Sequence, residues 1–260
     1  MSNISFEHRK VIWFKKAKCA GTSFESVMQK AGVIYYVDGT TTLEELENPD
    51  NKVICIREAL FPYGGTPTRM PSDEYKILYK SPIQFRIRRF LGCPFEPKQF
   101  MLKHFPDFLN MYPKFAVVRN PFDKFISSWK YLKNIKEKNI DEVINKLPTR
   151  REFHDWIHIT QQQADCVRSN HGKLLVDQVI YMESKFDDDI NDILEYIGIE
   201  SIKMPVKNKS ARSDCLQYLT PEIIRKIIKL YNDDFKIFGY STDAGNMAPI
   251  KKYAGIHLHS

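Results

Sequence analysis

Residues Val11–Gly32 read VIWFKKAKCAGTSFESVMQKAG, and this stretch decides the fold. Val11 to Phe14 form a short apolar run suited to a buried strand. Lys15 to Gly21 follow as a loop of basic and small residues. Phe24, Val27, Met28 and Ala31 then recur at helical spacing, and Gly32 supplies a stop. Thr22 with Glu25 three residues later fits a capping box, which predicts a helix starting at Thr22. The backbone N–H groups of Gly21, Thr22 and Ser23 would then leave a helix N-terminus beside Lys18, Cys19 and Ala20, an arrangement that holds a phosphate. From these residues alone, a plain strand–loop–helix whose hydroxyls only cap is the competing reading.

Working outward, Gly39 to Asp50 is polar and reads as loop or short helix, and Val53 to Ile56 is a second apolar run that ends at Arg57 and Glu58. Leu60 to Pro97 is rich in Pro, Gly and aromatic residues, with Arg86, Arg88 and Arg89 in its middle, and reads as an irregular insertion near a site. Phe100 to Leu102 predicts a third short strand ending at Lys103 and His104, and Pro106 opens a short helix. Phe115 to Val118 is the clearest strand signal and ends at Arg119. Asn120 suits an N-cap and Pro121 a first helical residue, so a helix is expected over Pro121 to Leu132, burying Phe122, Phe125, Ile126 and Trp129. Asn134 to Asn145 is charged and reads as exposed, and Glu152 to Cys166 reads as helical. Val176 to Tyr181 is a further strand and Asp187 to Ile197 a helix stopped by Gly198. Thr220-Pro221-Glu222 opens a last strong helix with Ile223, Ile224, Ile227 and Tyr231 on one face; beyond Tyr240 the periodicity fades, and 241–260 reads as a tail.

Strands alternating with helices imply a mainly parallel sheet flanked by helices, in one domain spanning 1–260. Ligands of such folds bind beyond the carboxyl ends of the strands. Lys18, His104 and Arg119 each follow an apolar run closely, so they are expected to converge on one rim.

Composition narrows the partners. Thirty-nine Lys and Arg against 32 Asp and Glu give +7, which favours anionic ligands: nucleic acid, a phosphorylated cofactor or an acidic polysaccharide. Five cysteines, an odd number without metal-ligand spacing, fit a reducing compartment better than a disulfide framework. The start MSNISFEHRK has no apolar segment of signal or anchor length, so the chain is expected to be soluble and cytoplasmic. The basic residues form no nucleic-acid module, and no nucleic-acid partner is expected.

The lysine of Lys18-Cys19-Ala20-Gly21-Thr22-Ser23 precedes the glycine, whereas nucleotide-triphosphatase loops place it just before the Ser/Thr. The order resembles the phosphosulfate-binding loop of sulfotransferases that use 3′-phosphoadenosine 5′-phosphosulfate (PAPS). A second stretch, Arg119–Trp129 (RNPFDKFISSW), resembles that family's 3′-phosphate motif, with Arg119 and Ser127 at the matching arginine and serine. Lys124 replaces the usual second arginine, and Trp129 stands where tyrosine is common. Gln163-Ala164-Asp165, Val179 to Glu183, Lys207 to Ser210 and Asp234 to Tyr240 look like later segments of the carbohydrate (heparan/chondroitin-type) branch, so the likeness spans roughly Val11 to Tyr240.

The resemblance implies an α/β, P-loop-like three-layer fold and a sulfuryl transfer from PAPS to a carbohydrate or glycoconjugate hydroxyl, releasing 3′,5′-bisphosphoadenosine (PAP), with no metal. It assigns Lys18 through Ser23 to the 5′-phosphosulfate, Arg119 and Ser127 to the 3′-phosphate, and Lys209, Ser210 and Arg212 to a basic loop over the nucleotide. His104 matches the place of a histidine that takes the acceptor proton, with Glu58 as runner-up. Arg57, Glu58, Arg86, Arg88 and Arg89 are candidates for an acceptor rim, which would suit an acidic sugar; a solvated basic face is the plainer reading of those arginines. Two rivals remain at this point: a P-loop-type nucleotide kinase or hydrolase, and a non-enzymatic polyanion binder.

Overall fold

Five parallel strands form one sheet in the order β2–β3–β1–β4–β5. They are β1 (Val11–Lys15), β2 (Ile34–Tyr36), β3 (Val53–Arg57), β4 (Lys114–Val118) and β5 (Gln178–Tyr181). The structure, a computed structural model, describes residues 9–16, 19, 21–57, 97–131, 139–146, 159–169, 171–201 and 216–250. The central strand β1 runs in register with β3 from Val11↔Val53 to Lys15↔Arg57, and with β4 through Trp13↔Phe115.

The strands are apolar without interruption because both faces are covered. Ile12, Phe14, Ile54, Ile56, Ala116 and Val118 face one core, while Val11, Trp13, Val53, Cys55, Phe115 and Val117 face the other. Helices α1 (Gly21–Lys30) and α8 (Phe186–Tyr196) close the second core with Phe24, Met28, Ile190 and Ile193. The first core takes Leu46 from α2 (Leu43–Glu47) and side chains from α3 (Pro97–His104), α4 (Pro106–Met111), α5 (Pro121–Tyr131), α6 (Ile140–Lys146), α7 (Ala164–Val167), α9 (Pro221–Leu230) and α10 (Asn232–Phe238). The result is the expected three-layer α/β architecture.

The chain leaves β1 towards β3 and β2, then returns to β4 and β5 on the other side. Because α1 and α5 follow β1 and β4 on opposite faces, the two loops part at the carboxyl ends of adjacent strands, which makes the crevice of a topological switch point. Trp13, Phe24 and Phe115 fix α1 there. Phe24 meets Trp13 edge-on at 4.9 Å and Phe115 edge-on at 5.7 Å, contacts worth about 0.5–1.5 kcal/mol each beyond area burial.

Several expectations are corrected. Phe100 to Leu102 is not a strand: these residues lie inside α3, where Pro97 takes the first helical position and Met101 alone of the three turns fully into the core. His104 therefore ends a helix, and the strand-end argument for its convergence with Arg119 does not hold. Helix α1 begins at Gly21, which puts Thr22 in the first turn, and Glu25 spends its carboxylate on Tyr36, Arg57 and Lys15. The charged 134–145 segment ends in α6, whose Val143 and Ile144 are buried. Helical structure does not run unbroken to Cys166, since 161–163 interrupt it before α7. Beyond Tyr240 the chain folds back: Tyr240 bridges Pro249, and the Ile250 N–H donates to the Gly239 carbonyl at 2.7 Å. Among the described residues no helix is long and apolar enough to cross a membrane.

Candidate functional site

Helices α1 and α5 both start at the crevice between β1 and β4, so two helix N-termini, each a positive dipole end, face one place. Of the first loop, Lys18 and Ala20 lie outside the described residues, as does the side chain of Thr22. Cys19 and Ser23 are described and buried. The Cys19 thiol donates to Gln163 Oε1 at 2.9 Å, which commits it to holding the loop.

The second loop is short. Arg119 follows β4 directly, and Asn120 caps α5: its Oδ1 accepts the Phe122 N–H at 2.9 Å. The Asn120 Nδ2 donates to the Met247 carbonyl at 3.0 Å, so the returning C-terminal segment braces this loop. Arg119 is 7% exposed, and its Nε donates to Asp123 Oδ2 at 2.6 Å. Burial works against the guanidinium charge, yet Asp123, with Glu183 behind it, raises its pKa above the ordinary arginine value. Asp123 and Ser127 are four residues apart on α5 and share a helix face, so Arg119, Asp123 and the half-buried Ser127 follow one line along that helix. A buried, permanently charged fork beside a helix N-terminus and a hydroxyl is suited to a phosphate dianion.

Polar residues that carry no local sequence signal hold the two loops. Gln163 is buried; its Oε1 also accepts the Arg119 N–H at 2.8 Å, while its Nε2 donates to the Arg119 carbonyl at 2.8 Å. Asp234 lies beneath, accepting the N–H groups of Gln163 at 3.0 Å and Ala164 at 2.8 Å. Burial pushes the Asp234 carboxyl up, against the pull of Lys124 and these donors. Lys124 is fully buried: its Nζ donates to the Gln161 carbonyl at 2.9 Å and lies 4.2 Å from the Tyr231 ring centroid. It is part of the scaffold under the site.

At the ends of β1 and β3, Glu25 accepts from Arg57 at 2.6 Å and from the Tyr36 hydroxyl at 2.7 Å, and also pairs with Lys15. Arg57 lies over the Tyr36 ring at 3.9 Å. Arg57 thus ties α1 to the end of β3. His104 is exposed, with its ring 4.8 Å from Phe100 and 6.5 Å from Phe105. Glu58, Arg86, Arg88, Arg89, Lys209, Ser210 and Arg212 lie outside the described residues. Gln163, Glu183 and Asp234 were reached from sequence only as parts of segments; their roles depend on partners tens of residues away.

The sequence model of the sulfotransferase family matches residues 3–241. Among solved structures, the chain is similar to the sulfotransferase of Alicyclobacillus acidocaldarius, at 16% identity and a TM-score of 0.47, over 88% of this chain and 93% of that one. A search of curated proteins finds no match.

Proposed function

The chain belongs to the sulfotransferase family, and we propose that it transfers the sulfuryl group of PAPS to a hydroxyl of a carbohydrate or glycoconjugate. One observation carries this reading: the N-terminus of α1 and the buried Arg119 sit at the ends of adjacent central strands, tied together through Gln163. Two anion-binding places on one crevice would suit a nucleotide with phosphates at both its 5′ and 3′ positions.

In this mechanism the acceptor oxygen attacks sulfur as the bond between sulfur and the bridging phosphate oxygen breaks, and PAP departs. Lys18 and the N–H groups at Gly21 to Ser23 stabilise the charge that grows on the leaving oxygen. Arg119 and Ser127 hold the 3′-phosphate, and Lys209, Ser210 and Arg212 supply further cationic and hydroxyl groups to the nucleotide. His104 receives the acceptor proton; its exposure lets it pass that proton to solvent. As in phosphoryl transfer, the protein mainly positions groups and stabilises charge.

The test compares PAP with AMP by thermal melting, and labelled PAPS with labelled ATP as donor. PAP at about a hundred times its dissociation constant should add roughly 2.7 kcal/mol of stability, well beyond the effect of AMP at the same concentration. Equal shifts for the two nucleotides, or transfer of phosphoryl from ATP, would remove this reading.

A further inference from the structure

The two phosphate loops are a hundred residues apart in sequence, yet one side-chain amide touches both. Gln163 Oε1 accepts from the Cys19 thiol in the first loop at 2.9 Å and from the Arg119 N–H in the second at 2.8 Å. Its Nε2 donates to the Arg119 carbonyl at 2.8 Å and to Asp234 Oδ2 at 3.3 Å. An amide side chain offers two acceptor sites and two donors, and all four are used here. The base of this bracket is also fixed, because Asp234 receives the N–H groups of Gln163 and Ala164 on its two oxygens.

We propose that Gln163 is a positioning residue that sets the spacing between the loop bearing Cys19 and the loop bearing Arg119, and so matches the protein to the fixed separation of the two phosphates on one nucleotide. The inference rests on the two-site reading above and extends it. The covalent frame of a 3′,5′-bisphosphorylated nucleoside cannot stretch, so both ends are held well only if the loops keep one distance. A misplacement of about 1 Å costs on the order of 10²-fold in such arrangements. The chemistry of the bracket is specific: Glu lacks the two donors, Leu lacks all four groups, and Asn is one methylene too short.

The experiment measures the affinities of PAP, 5′-AMP and 3′-AMP for the native chain, Gln163→Leu and Cys19→Ala. In Gln163→Leu, PAP binding should weaken by about 10–100-fold, while each monophosphate, needing only one loop, should change by less than about threefold. A purely structural role would lower the melting temperature and leave the ratio of PAP to AMP affinity as in the native chain; that result would overturn the proposal. Should Gln163→Leu not fold, Cys19→Ala carries the test. It removes only the first-loop end of the bracket and should reduce the same ratio by about 3–10-fold, the scale of one buried hydrogen bond; an unchanged ratio overturns the proposal. Native chain that binds PAP no better than AMP would instead overturn the two-site reading, and the bracket with it.

Discussion

The backbone N–H of Asn120 donates to Oε1 of Glu183 at 2.6 Å, which ties the loop bearing Arg119 to the end of β5. The other carboxylate oxygen accepts the Tyr240 hydroxyl at 2.9 Å. Burial pushes the Glu183 carboxyl above its ordinary value of 4.5, with nearby Asp123 adding to the rise and the two donors opposing it. A carboxyl raised in the fold contributes stability that is fully present below about pH 4.5 and is lost as pH climbs through the folded value. Glu183→Gln keeps an acceptor for Asn120 and removes the titration. Its stability relative to the native chain should therefore rise between pH 4 and pH 8 in urea unfolding. Losing a negative charge behind Arg119 should also tighten PAP binding at neutral pH by about fivefold, roughly 1 kcal/mol. A pH-independent stability difference would show that Glu183 is not held in this state.

Lys18 and Arg119 should fail differently. Lys18 is assigned to charge that develops on the leaving oxygen, so Lys18→Ala should lower kcat more than it weakens PAP binding. Arg119 holds a phosphate that does not react, and Arg119→Ala should mainly weaken PAP and raise KM for the donor. Normal turnover of Lys18→Ala at saturating donor would refute the first assignment.

Lys124 occupies the place of the family's second arginine, yet it is enclosed between the Gln161 carbonyl and Tyr231. Lys124→Met should destabilise the fold by about 2 kcal/mol, since Asp234 loses the nearby positive charge that opposes its burial. PAP affinity of the folded variant should stay within about twofold, because that side chain reaches the scaffold rather than the ligand. Selective loss of PAP binding with unchanged stability would make Lys124 a ligand.

What could be read from the sequence was local. The apolar runs at Val11 and Phe115 and the Asn120–Pro121 start are complete signals within a few residues, and both loops were found from them. The three-residue edge strand β2 escaped, since Ile34, Tyr35 and Tyr36 are only half-buried and show no alternation. Phe100 to Leu102 misled because a short apolar triplet fits a strand or a helix equally well. The α10 helix was hidden because Tyr231 both ends α9 and precedes Asn232. Gln163 and Asp234, 71 residues apart, gain their meaning only from each other and from the two loops.

His104→Ala should retain PAP affinity and lose about 10²–10⁴-fold in transfer rate, the usual contribution of a general base. His104 ends α3, whereas Arg119 is held by Asp123 and Gln163, so loss of the imidazole should leave the donor site intact. Near-native turnover would move the proton acceptor to Glu58, whose Glu58→Gln variant is the matching control.

The last prediction concerns the acceptor. Arg86, Arg88 and Arg89 fall in an aromatic-rich segment, a composition that can stack on sugar rings and pair with carboxylate or sulfate groups. An acidic glycan should therefore be a better acceptor than its neutral counterpart, and its KM should rise with added salt, because exposed charges are screened within about 8–10 Å at physiological ionic strength. The donor should be less sensitive, since Arg119 is buried beside Asp123. Replacing the three arginines together with alanine should raise KM for the acidic glycan, remove most of its salt dependence and leave PAP affinity unchanged. A panel of acidic polysaccharides, neutral sugars, phenols and small alcohols, each offered with PAPS, supplies the measurement. Transfer confined to phenols or small alcohols would exclude a carbohydrate acceptor while leaving sulfuryl transfer in place. Salt-independent use of neutral sugars would exclude the acidic class alone.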